Sequence, residues 1–225
     1  MVGAILAKYP ILSKYRLLTA NTITATGNTT INGYWFAPNI IGTGTLISGT
    51  SPSGFNNTDS TNALTQLNSL ITDITTHTSS LSIINISAGG NNTTFFPSFS
   101  YVGTNITFID KTIKFDANNN SNAQFFITDT GSGMTFTRVT FVLLNGAKAC
   151  NIYWLSNPTT GAGGITITNP VRCFPGIIIT TSNNSTSSST FTIDSKNIMG
   201  HIYSNTSTTI TSTGVVEVKC KNTSN

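Results

Sequence analysis

Three short segments, Asn151-Ile152-Tyr153-Trp154, Ile177-Ile178-Ile179-Thr180 and His201-Ile202-Tyr203-Ser204, read as versions of one strand repeated at intervals of about two dozen residues. That interval is close to one turn of a three-sided solenoid, which needs three strands of about five residues and the corners between them. Between these strands lie Ile165-Thr166-Ile167, Phe191-Thr192-Ile193 and Thr209-Ile210-Thr211, spaced to form a second ladder. The same texture runs through most of the chain. Apolar and hydroxyl residues alternate in short runs bounded by Gly, Asn or Pro, as in Thr22-Ile23-Thr24, Thr135-Phe136-Thr137 and Thr190-Phe191-Thr192-Ile193. Alternation of period two is the mark of half-buried strands, so the expected class is all-β, and a β-helix is the economical architecture.

One segment breaks the pattern. From Asp59 to His77 the residues Ala63, Leu64, Leu67, Leu70, Ile71 and Ile74 recur at spacings of three and four, with Thr58, Asp59 or Ser60 available as the N-cap. Thr65, Asn68, Thr72 and Thr75 make the opposite face polar. The spacing predicts one amphipathic helix over about 59–77, lying against the side of the β structure with its Leu/Ile stripe inward. His77 at its end complements the helix dipole and needs no ligand.

Composition narrows the function. Only 8% of the 225 residues are charged, while Ser, Thr and Asn make up about two fifths of the chain. The surface is therefore neutral and hydroxylated. Eleven Lys and Arg are scattered along the chain with no run that could neutralise a line of phosphates, which excludes nucleic acid as the expected partner. With 38% apolar residues and thirteen Phe, the chain can pack a core, and 1–225 is expected to be a single domain. No stretch of about eighteen apolar residues exists to span a membrane. The opening Met1-Val2-Gly3-Ala4-Ile5-Leu6-Ala7 is interrupted by Lys8, Pro10, Lys14 and Arg16, and so reads as no secretion signal. The three cysteines, Cys150, Cys173 and Cys220, form no C-x-x-C spacing, so neither a zinc site nor a redox motif is indicated. Cys150 reads as a small buried hydrophobe, and a Cys173 to Cys220 bridge is possible but unforced.

Against that background, Phe141-Val142-Leu143-Leu144-Asn145-Gly146-Ala147-Lys148-Ala149-Cys150-Asn151-Ile152-Tyr153-Trp154 resembles a strand, N-G-A-x-A-x-N, strand signature of the ice-binding-protein-like domain family, which includes antifreeze proteins of microbes, fungi and algae. Phe115-Asp116-Ala117 followed by Asn122-Ala123-Gln124-Phe125-Phe126-Ile127 is similar to an upstream segment of the same family, with a Gly replaced. Gly176 and Gly200 stand where the family places glycines ahead of its last two equivalent strands. The resemblance implies a right-handed β-solenoid of triangular section with one long α-helix packed alongside.

Seven carboxylates and two histidines leave little for catalysis. Asp110 and Asp116 read as turn or surface residues. His201 with Asp194 and a serine lacks the G-x-S-x-G elbow of a hydrolase. The chain is read as no enzyme, with no cofactor and no metal. Two functions suit a neutral solenoid. The first reading is a structural or surface-display brick in a larger assembly, such as a virion or surface layer, whose partners are other protein chains. The sequence leaves the localisation open; the absence of a secretion signal, and an Ile, Asn and Thr bias of the kind AT-rich genomes produce, favour a virion or particle surface over secretion. The alternative, implied by the resemblance, is adsorption to ice or ordered water through a flat solenoid face. The aligned strands give Ile152, Trp154, Ile178, Thr180, Ile202 and Ser204 as candidates for that face, and the intervening set, including Asn151, Tyr153, Ile179, His201 and Tyr203, as the other side of the same strands. An exposed Thr/Ala/Ser face with few Tyr or Lys favours ice. An apolar face covered by a neighbour over about 1,000 Å² favours assembly.

Overall fold

The computed structural model describes residues 5–26, 28–32, 34–42, 45–48, 57–87, 89, 93–159, 163–168, 174–181, 189–194, 197–205, 208–211 and 215–217. Two short 3-10 turns, Ile5–Lys8 and Leu12–Lys14, lead into β1 (Tyr15–Thr19), β2 (Thr22–Thr26), β3 (Asn28–Asn32), β4 (Tyr34–Phe36), β5 (Asn39–Ile41) and β6 (Thr45–Ser48). Helix α1 (Asn57–Ser79) follows. Then come β7 (Ser82–Ile86), β8 (Thr94–Phe95), β9 (Phe99–Gly103), β10 (Thr107–Ile109), β11 (Thr112–Asp116), β12 (Phe125–Asp129), β13 (Met134–Thr137) and β14 (Thr140–Leu144). The chain continues through β15 (Ile152–Ser156), β16 (Gly164–Thr168), β17 (Phe174–Thr180), β18 (Ser189–Asp194), β19 (Asn197–Ser204), β20 (Thr208–Thr211) and β21 (Val215–Glu217).

The pairings among these strands are parallel, and they stack on three sides. The helix side runs β4-β1-β19-β17-β15-β12-β9-β7, and a second side runs β10-β13-β16-β18-β20-β2-β5. The third side comprises β8-β11-β14 and, further along, β6-β3-β21 on the leading half of β19. This is an all-β solenoid with one helix, as the repeat and the resemblance both led us to expect.

The stacking order does not follow the chain order. The first turn, β1 to β3, sits directly on the last, β19 to β21, and β4 to β6 lie beyond it. Helix α1 therefore has to carry the chain from one end of the stack to the other, where β7 begins the climb. Its 23 residues make a rod of about 34 Å at about 1.5 Å per residue. Seven inter-strand steps on the helix side, at about 4.8 Å each, come to the same length. The observed helix is two residues longer at each end than the apolar periodicity alone predicts, because its terminal turns are polar.

Ala63, Leu67, Leu70 and Ile74 are buried against Phe126, Tyr153, Leu155, Ile177, Ile179 and Tyr203 of the helix side. The exposed face manages its threonines by returning hydroxyls to the helix itself: Thr65 donates to the Thr61 carbonyl, Thr72 to Asn68 and Thr75 to Ile71. Inside the solenoid, aromatic rings stack in register with the strands, as Phe108 on Phe136 at 5.5 Å between centroids. Trp154 closes against Phe136 and Phe174, and its indole N–H donates to the Pro175 carbonyl at 2.8 Å, so the largest interior side chain is satisfied.

The two glycines noted in the sequence have a shared structural role. Gly176 has φ +118°, and it pairs in register with Gly200 where β17 and β19 pass from the third side to the helix side. A Cβ on Gly200 would overlap the Gly176 carbonyl oxygen, so these positions allow two strands to bend through one corner at normal spacing.

Candidate functional site

The six residues anticipated as the exposed face are placed elsewhere. Ile152, Trp154, Ile178 and Ile202 are fully buried in the solenoid interior, and Thr180 and Ser204 are also at 0% exposure. The intervening set is buried too: Tyr153, Ile179 and Tyr203 lie under the helix, while Asn151 and His201 are 4% exposed. The expectation fails for one reason. It assumed a strand with one wet face, whereas β15, β17 and the trailing half of β19 are covered inside by the core and outside by α1 and the amino-terminal turns. Cys150 is half-buried rather than buried; Cys173, Cys220 and the side chain of Asp194 lie outside the described residues.

The second side has the opposite character. Along β10, β13 and β16 the residues Phe108, Met134, Phe136, Ile165 and Ile167 are buried, while Thr107, Thr135, Thr137, Thr166 and Thr168 are partly exposed. Register joins these threonines into a column. Thr107 pairs with Thr135, Thr135 with Thr166, Thr166 with Thr192, Thr192 with Thr211 and Thr211 with Thr26. Beside it, Thr190, Thr209 and Thr24 are paired in succession, ending at Ile41, and Ile109, Thr137, Thr168 and Asp194 form a further row. Thr137 and Thr168 hydroxyls lie 3.0 Å apart across the strands. Seven strands at about 4.8 Å, with alternate residues about 6.7 Å apart along each, make a grid about 30 Å long and 13 Å wide. The exposed isoleucines Ile109 and Ile41 stand on its first and last strands.

Both margins of this threonine side are fixed by hydrogen bonds. At one margin the buried Asp129 carboxylate accepts from the Ile106 N–H at 3.0 Å and the Gly131 N–H at 3.0 Å, tying together the turns that launch β10 and β13. Burial lifts its carboxyl above the ordinary range against the pull of those backbone donors. Asn105, with φ 55°, accepts from both the N–H and the hydroxyl of Ser132 in the next turn. At the other margin Asp110 and Arg138, both left-handed, stack one turn above the other and form a bidentate pair at 2.6 and 2.7 Å. The Arg138 guanidinium holds the Asp110 carboxyl below its usual range. Asp116, by contrast, accepts from the Asn118 N–H and the Asn145 amide in a turn of the third side. Both aspartates thus have the turn roles read from the sequence.

The signal for this surface was present in the sequence as the repeated Thr-x-Thr of β13, β16, β18, β20 and β2. Its strict alternation means one face in water, whereas the near-continuous apolar runs of β15 and β17 mean two covered faces.

No family model and no curated protein matches the chain. Solved structures do match in fold. The chain is similar to an ice-binding protein from an Antarctic biological consortium at 19% identity and TM-score 0.66, over 92% of this chain and 89% of that one. A DUF3494 domain of Shewanella frigidimarina ice-binding protein 1 matches at 18% identity and TM-score 0.62, over 93% and 96%. Against an ice-binding protein from an Antarctic Flavobacteriaceae bacterium, at 18% identity and TM-score 0.65, 96% of this chain covers 48% of the other, about half its length. The fold is thus that of solved ice-binding proteins, in agreement with the family the sequence resembles.

Proposed function

We propose that this chain binds ice, or water ordered as in ice, through its threonine side. The observation that carries the reading is the column Thr107, Thr135, Thr166, Thr192, Thr211 and Thr26, six residues in unbroken parallel register. Ice is an uncharged lattice of hydrogen-bond donors and acceptors, so a complementary surface must be flat, periodic and free of fixed charge. A β-branched threonine is stiff at χ1, and each one sets a methyl beside a hydroxyl at a repeat fixed by the strand spacing. The methyls discourage disordered water, and the hydroxyls hold first-shell water in place at little entropic cost beyond what the sheet has already met. Strands β10, β13 and β16 place no charged residue on this grid, and register brings Asp194 into it only in the outer row, at the end of β18. The fold shared with solved ice-binding proteins supports the same reading. The alternative of a brick in a larger assembly has no comparable support, because this broad hydroxylated surface lacks the apolar character of a buried interface core.

Thermal hysteresis and ice-crystal shaping by the purified protein test the proposal. Faceted crystals and a freezing gap from a monomer are the expected result. Unshaped crystals at millimolar protein, with self-association on a sizing column, would return the assembly reading.

A further inference from the structure

The threonine side is assembled from two distant parts of the chain. Five of its strands come from residues after 100, but β2 and β5 belong to the amino-terminal segment. That segment is joined to the rest by the pairing of β1 with β19 and of β2 with β20, and by polar ties beneath α1. Tyr153 accepts the Leu6 N–H at 3.2 Å, Gln66 accepts the N–H groups of Ile11 and Leu12, and the Tyr203 hydroxyl lies 3.1 Å from the carbonyls of Leu12 and Tyr15. At the centre is His201. Its Nδ1 is 2.6 Å from the Tyr15 carbonyl and 2.7 Å from the Tyr203 hydroxyl, and Arg16 Nη1 lies 3.2 Å from Nε2 and 3.3 Å from Nδ1.

The Tyr15 carbonyl can only accept, so the proton of the neutral ring sits on Nδ1, which donates to it, and Arg16 lies across both ring nitrogens. A second proton would have to sit on Nε2, facing a guanidinium in a site that is 4% exposed. Among the described residues, the titratable groups in contact with His201 are Arg16 and Tyr15 from β1 and Tyr203 on its own strand; Tyr153 of β15 acts on Tyr203, and the 3-10 turn (Ala149–Asn151), which carries Cys150, packs on β17 and β19. Among the described residues, no contact of His201 is a carboxylate that could compensate the added charge. We infer that His201 is an acid-sensitive latch holding the amino-terminal strands, and with them two of the seven strands of the threonine side, in place.

Burial, with the Arg16 charge beside it, lowers the imidazole from 6.5 to about 4. The sign follows: above about pH 6.5 both closed and open forms are neutral and the latch is at full strength, and as pH falls from 6.5 toward 4 the open form gains the proton first. The opening constant should therefore rise about a hundredfold between pH 7 and pH 4. The neighbouring tie between Lys8 and Asp73 at 3.0 Å does not share this window, since Lys8 and Tyr9 hold the Asp73 carboxyl below its usual range.

The assertion that opening shrinks an ice face rests on the proposed function, whereas the latch itself does not. Hydrogen exchange of the full chain, corrected for intrinsic rates at each pH, separates the two. Peptides within 5–41 should lose protection about a hundredfold at pH 4 while peptides within 99–156 keep it, and His201→Gln, whose amide can still donate to Tyr15, should flatten that dependence. Uniform loss, no loss, or an unchanged pH response in His201→Gln would overturn the latch. Should that variant not fold, an NMR titration of His201 in the native protein decides: a midpoint near 4 is expected, and one at the ordinary 6.5 refutes the latch. Thermal hysteresis measured in parallel tests the ice reading separately: hysteresis absent at every pH removes that reading but leaves the latch.

Discussion

A threonine contributes to the proposed surface only because of what stands beside it. Thr166 has Thr135 and Thr192 as strand partners and buried Ile165 and Ile167 as chain neighbours, so its rotamer is constrained by the sheet and by its own branching. Replacing Thr166 by Tyr adds a ring to a flat surface without touching the core; Tm should stay within a few degrees. Residues that hold the frame behave differently. Asp129→Ala leaves the Ile106 and Gly131 N–H groups without their acceptor in a buried turn, and should cost about 2–4 kcal/mol in denaturant unfolding. Gly200→Ala forces β19 away from the Gly176 carbonyl and should cost about 3 kcal/mol or more, or abolish soluble expression. Equal stability of Gly200→Ala and the parent would mean that the corner does not need its close approach.

Among the elements, α1 has two tasks that the sequence expresses unequally. Its apolar stripe was legible, since Ala63, Leu67, Leu70 and Ile74 recur at helical spacing and all four are buried. Leu67→Ala should therefore destabilise the fold by about 2–5 kcal/mol, read by thermal or chemical unfolding. Its second task, returning the chain along the whole stack, was not legible, because it depends on where β4 and β7 end up and neither strand records that locally. The same limit explains the misplaced candidate residues. Local alternation in Ile152-Tyr153-Trp154 separates two sets of side chains, and it took the packing of α1 and the amino-terminal turns to bury both. The Thr-x-Thr strands were legible as strands, but their registration into one column across residues 26 to 211 is a long-range fact.

The whole molecule closes on itself late. Because β19 to β21 dock against β1 to β3, the first and last turns share an edge that neither can satisfy before the chain is complete, and long sequence separation of this kind slows folding. The threonine side spans that seam, so its extent depends on the junction that His201 holds. The most direct test of the central assertion compares two surfaces of one protein. Thr166→Tyr on the threonine side and Thr140→Tyr on the third side, where Thr140 is exposed and paired with Thr112, change the molecule by the same atoms. Thermal hysteresis should fall to about a tenth or less in the first and stay near the parent value in the second, with both proteins folded. Equal activity in the two variants, or loss only in Thr140→Tyr, would contradict the assignment of the threonine side as the ice-binding surface.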